Sequence, residues 1–222
     1  MRLIFDLDGT LIDSAPDLNV AANRMLAEMF DAPPVPLETF ATFIGNGIPK
    51  QVERSLRHAG LEVSPETFEE AVATFKRHYA AAPAERTIVF EGVREALEAL
   101  KERGARMAVC TNKSEDLAWL ALEGLGMAHF FDALVGGETL PVKKPDPEPL
   151  HECARRLGGG AAVFYVGDSE TDEKAAAAAG YPLLLYTAGY RKKPVEEFEA
   201  AGTFGHFSEL PGLVERLAGA RA

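Results

Sequence analysis

Apolar positions along this chain of 222 residues change their period twice. The first segment, Leu3-Ile4-Phe5-Asp6-Leu7-Asp8-Gly9-Thr10-Leu11, opens with a short apolar run and ends on two aspartates one residue apart. The run predicts a buried strand with the aspartates at its end, although an Asp-Gly pair also suits a simple turn. From residue 87 onward, apolar runs alternate with stretches of helical period. Strands are expected over 106–110, 133–135, 161–166 and 183–186. Helices are expected over 92–103, 114–125 with Ser114 as N-cap, 147–157, and from the end of the third of these strands to Ala179, stopped by Gly180. That alternation predicts a parallel sheet covered by helices. Between the first strand and the alternating region the pattern is helical only, over 16–30, 37–42, 48–59 and 65–82. Pro33, Pro34, Pro36 and Pro83 punctuate it. Residues 15–86 therefore read as an inserted helical domain, with 1–14 and 87–222 as the α/β core. Both ends of the insertion leave near the carboxyl end of the first strand, the place for a lid.

Ligands of open α/β sheets bind beyond the carboxyl ends of the strands. Four such ends carry chemistry here. The first ends on Asp6 and Asp8, the second on Thr111-Asn112, the third leads to Lys143-Lys144-Pro145, and the fourth to Gly167-Asp168-Ser169-Glu170-Thr171-Asp172. Each group has a plain structural reading. Thr111 and Asn112 suit turns and caps, Lys144 a solvated loop, and Ser169 to Asp172 a capping box. Their convergence on one sheet edge favours a phosphate site. Two carboxylates can divide phosphoryl transfer between nucleophile and proton carrier. Asp6, Asp8, Asp168 and Asp172 in one crevice need a compensating cation, and Mg²⁺ suits hard oxygen donors beside phosphate. Lys144 would neutralise a phosphate oxygen.

Net charge sharpens this picture. With 23 basic and 34 acidic residues the chain carries −11. That disfavours nucleic acid and anionic membrane surfaces as partners, and requires any phosphate site to be positive locally. An apolar content of 47% supports a packed core. Cys110 and Cys153 lack metal-binding spacing and are expected as buried free thiols in a reducing cytoplasm. No run has the length of a membrane span, and no signal segment is expected. Gly158-Gly159-Gly160 lacks the dinucleotide fingerprint.

On these motifs the chain resembles the haloacid dehalogenase superfamily of phosphatases, end to end. The resemblance implies a Rossmann-like doubly wound parallel sheet with an inserted C1-type helical cap. It implies Asp6 as nucleophile forming an aspartyl-phosphate, and Asp8 as general acid, then base. It implies Thr111 and Asn112 as phosphoryl-binding residues and Lys144 as the catalytic cation. Mg²⁺ would be held by Asp6, the main-chain carbonyl of Asp8, and Asp168, with Asp172 in or beside that shell. Within the superfamily, Asp6 to Leu18, Ile44-Gly45-Asn46-Gly47 and Gly136-Gly137-Glu138-Thr139-Leu140 resemble the phosphoglycolate phosphatases. The expected partner is a small phosphorylated metabolite, 2-phosphoglycolate first, and the protein a monomer or homodimer. A dehalogenase would not need the second carboxylate at residue 8. A phosphosugar mutase, another small-ester phosphatase or a non-catalytic binding module stay as alternatives. In the insertion, Gly45, Asn46, Gly47 and Lys50 are expected to read the substrate's carboxylate, through a tight turn and a helix N-terminus. Lys50 and Arg54 share a helix face; the plain reading is a helix-start turn with a solvated basic face.

Overall fold

A computed structural model describes residues 1–159 and 163–219. Its main sheet holds β1 (Arg2–Phe5), β4 (Arg106–Cys110), β5 (Ala133–Val135), β6 (Val163–Gly167), β7 (Leu183–Tyr186) and β8 (Gly202–Phe204). A separate ribbon pairs β2 (Ile12–Asp13) with β3 (Ile88–Val89). The strand order is β5-β4-β1-β6-β7-β8, with every pair parallel. β1 is central, and the chain winds outward from it first to one edge and then to the other. The site therefore lies at the switch point, beyond β1 and its two neighbours.

Alternation along the strands builds three layers. Leu3, Phe5, Met107, Val109, Phe164 and Val166 face one apolar cluster, which is covered by α5 (Val93–Glu102), α6 (Glu115–Gly124) and α9 (Leu210–Gly219). Ile4, Ala108, Cys110 and Tyr165 face the other, covered by α7 (Glu148–Arg156) and α8 (Glu170–Ala179). Both cysteines are free and buried there.

The helical segment is α1 (Ala15–Phe30), α2 (Leu37–Ala41), α3 (Ile48–His58) and α4 (Pro65–Ala81). Leu18, Ala22, Met25 and Leu26 of α1 meet Val52 and Leu56 of α3 and Ala71, Phe75 and Tyr79 of α4 in their own cluster. Its entry and exit strands are β2 and β3, which pair Ile12 with Val89 and Asp13 with Ile88. Asp17 fastens the exit to the entry: it accepts hydrogen bonds from Arg86 N, Thr87 N and Thr87 Oγ1.

The expected elements are present within a residue or two at their ends. Ala161 and Ala162 of the strand read over 161–166, and Gly160 of the glycine loop, lie outside the described residues. Ser114 holds the N-cap position of α6 without a side-chain capping bond. The apolar pattern does not announce β2, β3, β8 or α9. A two-residue strand carries no period, and α9 follows a loop-rich stretch without a clear start signal. Among the described residues no helix is long and apolar enough to cross a membrane.

Candidate active site

β1 stops at Phe5 because the chain turns sharply. Leu7 O accepts from Thr10 N, Leu11 N and Ile12 N, one tight coil made possible by Gly9 at φ 90°. The coil sends Asp6 and Asp8 beyond the sheet edge. Asp6 is buried, and its Oδ1 accepts from Leu7 N at 2.7 Å and faces Lys144 Nζ at 2.9 Å. Its Oδ2 has no partner among the described residues. Burial foremost, then the charge of Asp172, pushes the Asp6 pKa up to about 7, against the pull of Lys144.

Lys144 arrives from the loop after β5 and is itself buried. Nζ reaches Asp172 Oδ1 at 2.7 Å and donates to Tyr165 Oη at 2.7 Å. Burial alone would lower its pKa, but the carboxylates of Asp172 and Asp6 raise it, so the ammonium stays charged. Its neighbour Lys143 instead points outward and donates to Asn46 O at 3.1 Å.

Asp168 and Asp172 follow β6. Asp168 Oδ1 accepts from Thr10 Oγ1 and its Oδ2 from Tyr190 N, each at 2.7 Å. Burial, with the charges of Asp172 and Asp6, drives its pKa well above the carboxylate range. Asp172 both closes the capping box with Ser169 and joins the acidic group. Lys144 and Tyr165 occupy its Oδ1; Asp168 N, Ser169 N and Ser169 Oγ occupy its Oδ2. Burial opposes its charge, yet Lys144 foremost, then Ser169 and Tyr165, keep this carboxyl below the usual range. One oxygen each from Asp6, Asp168 and Asp172 lies within 4.8 Å of the others. An all-carboxylate, hard-oxygen group of this kind, with Asp6 and Asp168 both pushed upward in pKa, fits a divalent cation. The saturated oxygens of Asp172 leave it as support rather than as the readiest ligand.

Asp8 is held differently. Its Oδ1 accepts from Ser14 Oγ at 2.5 Å and from Lys113 Nζ at 2.6 Å. Thr111 Oγ1 accepts from Lys113 N, which leaves its own hydroxyl proton free. Asn112 Nδ2 donates to Gly45 O at 3.2 Å and Lys144 O at 3.0 Å, joining three loops, and its buried Oδ1 is unpartnered.

Gly45 and Gly47 adopt φ values of 113° and 83°, and α3 starts immediately after them. Gly45, Gly47, Ile48 and Gln51 close over Asp6, Asp8 and Thr111 around a cavity of about 20 Å³, room for little more than one water. Lys50 departs from expectation. It is 47% exposed, ion-paired with Glu53 at 2.5 Å, and absent from this lining. One turn further along α3, Arg54 reaches back to Asn46 Oδ1 and Phe43 O and braces the turn. Position Lys50 on the helix directs it to solvent, so shared face and shared site are different things.

The sequence pattern does not single out Lys113, Ser14, Tyr165, Tyr190 or Gln51. Lys113 follows Asn112 directly, but its contact with Asp8 spans 105 positions. Tyr190 leaves no local signal: its hydroxyl donates to Asp13 Oδ1 across 177 positions.

Three comparisons place this geometry. The profile of the haloacid dehalogenase-like hydrolases matches residues 3–185. The phosphoglycolate phosphatase of Cereibacter sphaeroides is 43% identical over 215 residues, covering 97% of this chain and 98% of that protein. The enzyme of the same name from Rhodobacter capsulatus is 40% identical, covering 96% of each. The crystal structure of a predicted phosphoglycolate phosphatase from Haemophilus somnus 129PT superposes with a TM-score of 0.88 at 30% identity, covering 96% of this chain and 97% of that one. The chain belongs to the haloacid dehalogenase-like hydrolase family.

Proposed function

We propose that this protein is a metal-dependent phosphomonoester hydrolase that works through an aspartyl-phosphate, with 2-phosphoglycolate as substrate. One observation carries the reading. Two carboxylates separated by a single residue stand beyond the central strand in different settings, one beside Lys144, the other held by Ser14 and Lys113. The names of the relatives support the substrate.

Asp6 Oδ2 attacks phosphorus, and the ester oxygen leaves with a proton from Asp8. Asp8 then takes a proton from the water that attacks the phosphorus of the aspartyl-phosphate, releasing inorganic phosphate and restoring Asp6. Lys144 and the free hydroxyl proton of Thr111 offset charge on the phosphoryl oxygens, and Asn112 ties the loops that frame them. Asp6, Asp168 and the main-chain carbonyl of Asp8 would hold Mg²⁺, which when bound supplies positive charge to the phosphoryl group. Asp172 keeps Lys144 and the start of α8 in place. Residues 15–86 act as a cap on the core 1–14 and 87–222, hinged at the β2–β3 ribbon. Asn112 on Gly45 O, Lys143 on Asn46 O and Lys76 on Glu138 hold the cap down. The small cavity requires the cap to lift for substrate entry. A cytoplasmic setting accords with the buried free thiols.

The test is a panel of small phosphate esters with Mg²⁺. Phosphate release should be fastest from 2-phosphoglycolate, stop with a chelator, and vanish in Asp6→Asn. Substantial release by Asp6→Asn would refute the mechanism. Transfer of the phosphoryl group to a second hydroxyl instead of water would assign a mutase.

A further inference from the structure

Tyr190 is tied at both of its ends. Its N–H donates to Asp168 Oδ2 at 2.7 Å. Its hydroxyl donates to Asp13 Oδ1 at 2.6 Å and accepts from Ala15 N at 3.1 Å. Asp13 belongs to the ribbon at the entrance of the helical segment, and Ala15 opens α1. The residue thus runs from a carboxylate of the acidic group to the joint on which the segment hangs.

The joint uses this hydroxyl. The first N–H groups of a helix have no partner within it. Ser14 stands at the N-cap of α1 but makes no capping bond there, and gives its hydroxyl proton to Asp8 instead. Ala15 N is served by Asp13 Oδ1 at 3.2 Å and by Tyr190. Burial, then the bond to Asp13, raise the pKa of Tyr190, so the hydroxyl keeps its proton. The surroundings leave the tyrosine little freedom. A Cβ on Gly9 would stand 2.7 Å from its ring, which therefore rests on the coil carrying Asp6 and Asp8. The ring also packs against the apolar cluster of the helical segment. The loop that bears it is pinned as well. Gly189 lies against Asp168 with no room for a Cβ, and Lys192 N and Lys193 N both donate to Glu170 Oε1 at 2.7 Å. Glu170 opens α8 just after Asp168, so loop and carboxylate share one frame.

We propose that Tyr190 is a positioning residue that couples Asp168 to the joint of the helical segment, so that a divalent cation at Asp168 and the lowered segment favour each other. The inference rests on the metal reading of the site and not on the identity of the ester. Lifting the segment pulls on Asp13 and Ala15, and through the tyrosine on the oxygen that accepts Tyr190 N. A cation that needs that oxygen in place resists the pull. Such coupling is reciprocal: the cation holds the segment down by the same factor as the lowered segment raises cation affinity.

Tyr190→Phe keeps the ring and the N–H to Asp168 and removes only the hydroxyl. Binding and exchange, both measured without any ester, read the coupling. Calorimetric Mg²⁺ affinity should fall by about 5-fold or more, the lower end of the usual coupling range. Hydrogen exchange over β2, β3 and the start of α1 should slow when Mg²⁺ saturates the wild type, and slow much less when it saturates the variant. Asp13→Ala removes the hydroxyl's partner from the other side. In free energy, the affinity loss of the double variant should fall short of the sum of the single losses. Unchanged Mg²⁺ affinity in Tyr190→Phe, with only a lower Tm, would make the hydroxyl a plain structural tie and overturn the proposal. Strictly additive losses would overturn it too. A wild type that binds no divalent cation would overturn the metal reading with it. A wild type that shows the coupling yet hydrolyses no ester would overturn the phosphatase reading alone.

Discussion

Replacing Asp6 by Asn removes the ionised carboxylate that burial penalises beside Asp168 and Asp172. In the folded, metal-free protein its pKa is pushed up from 3.8 to about 7. Across that window the folded state binds more protons than the unfolded state, so stability falls as pH rises. The penalty is absent below the lower value and complete above the upper one. At about 1.4 kcal/mol per unit, a shift of roughly three units sets a ceiling near 4 kcal/mol. Coupling to Asp168 and Asp172, and the weakened contact with Lys144, bring the expected gain to about 2 kcal/mol. Asn keeps the shape and can still accept from Leu7 N, so packing is unchanged. Urea unfolding of chelator-treated wild type and Asp6→Asn, near pH 4 and near pH 8, reads the effect as a midpoint difference at constant slope. Asp6→Asn should be the more stable protein near pH 8 and lose that advantage near pH 4. Adding Mg²⁺ near pH 8 should close the gap, because the cation stabilises the wild type more. A stability difference equal at both pH values would refute the argument that Asp6 is held against its own charge.

Three further outcomes are expected. Asp17→Ala removes the acceptor of the Arg86 and Thr87 N–H groups, and should cost about 2–4 kcal/mol, read by calorimetry as a Tm lower by roughly 5–12 °C; an unchanged Tm would show that water replaces the carboxylate. Gly9→Ala places a Cβ 2.6 Å from Asp168 Oδ2 and 2.7 Å from the Tyr190 ring at a φ of 90°, so steady-state assays should show kcat/KM down by about 100-fold or more, with circular dichroism unchanged. Asp8→Asn should lower kcat by about 10²–10⁴-fold without comparable loss of substrate affinity; near-normal turnover would move the proton transfer elsewhere.

The framework of the site could be read from the chain because its parts are local. Asp6 with Asp8, Thr111 with Asn112, and Asp168 with Asp172 each follow a strand whose apolar run announces it, and Lys144 before Pro145 lies in the loop that leaves β5. What tunes those groups was not legible. Lys113 meets Asp8 across 105 positions, and Tyr190 reaches Asp13 across 177. Such contacts depend on how loops from separate strands fold over one edge, and no spacing encodes that. Asp172 shows the opposite case: two readings of one spacing, capping box and acidic site, are both realised in a single carboxylate. Lys50 faces solvent because helical spacing fixes which residues lie side by side, not which way their common face turns. Its exposed pairing with Glu53 contrasts with buried Gln51 one position later.

The central position of β1 also governs how the protein is made. Arg2 pairs with Arg106 on one side and with Val163 on the other. A chain emerging from the ribosome therefore releases its middle strand first and must hold it unpaired until both neighbours arrive. At ~5–20 residues per second, the second neighbour is synthesised roughly 10–30 s after the first strand. During that wait the apolar edge of Leu3, Ile4 and Phe5 is available to misplaced partners. The four-helix segment, with an apolar cluster drawn almost wholly from its own residues, can condense in the interval. Nascent chains halted once residue 90 has cleared the ribosome should then be protease-resistant over α1–α4 while the amino-terminal strand is still cut.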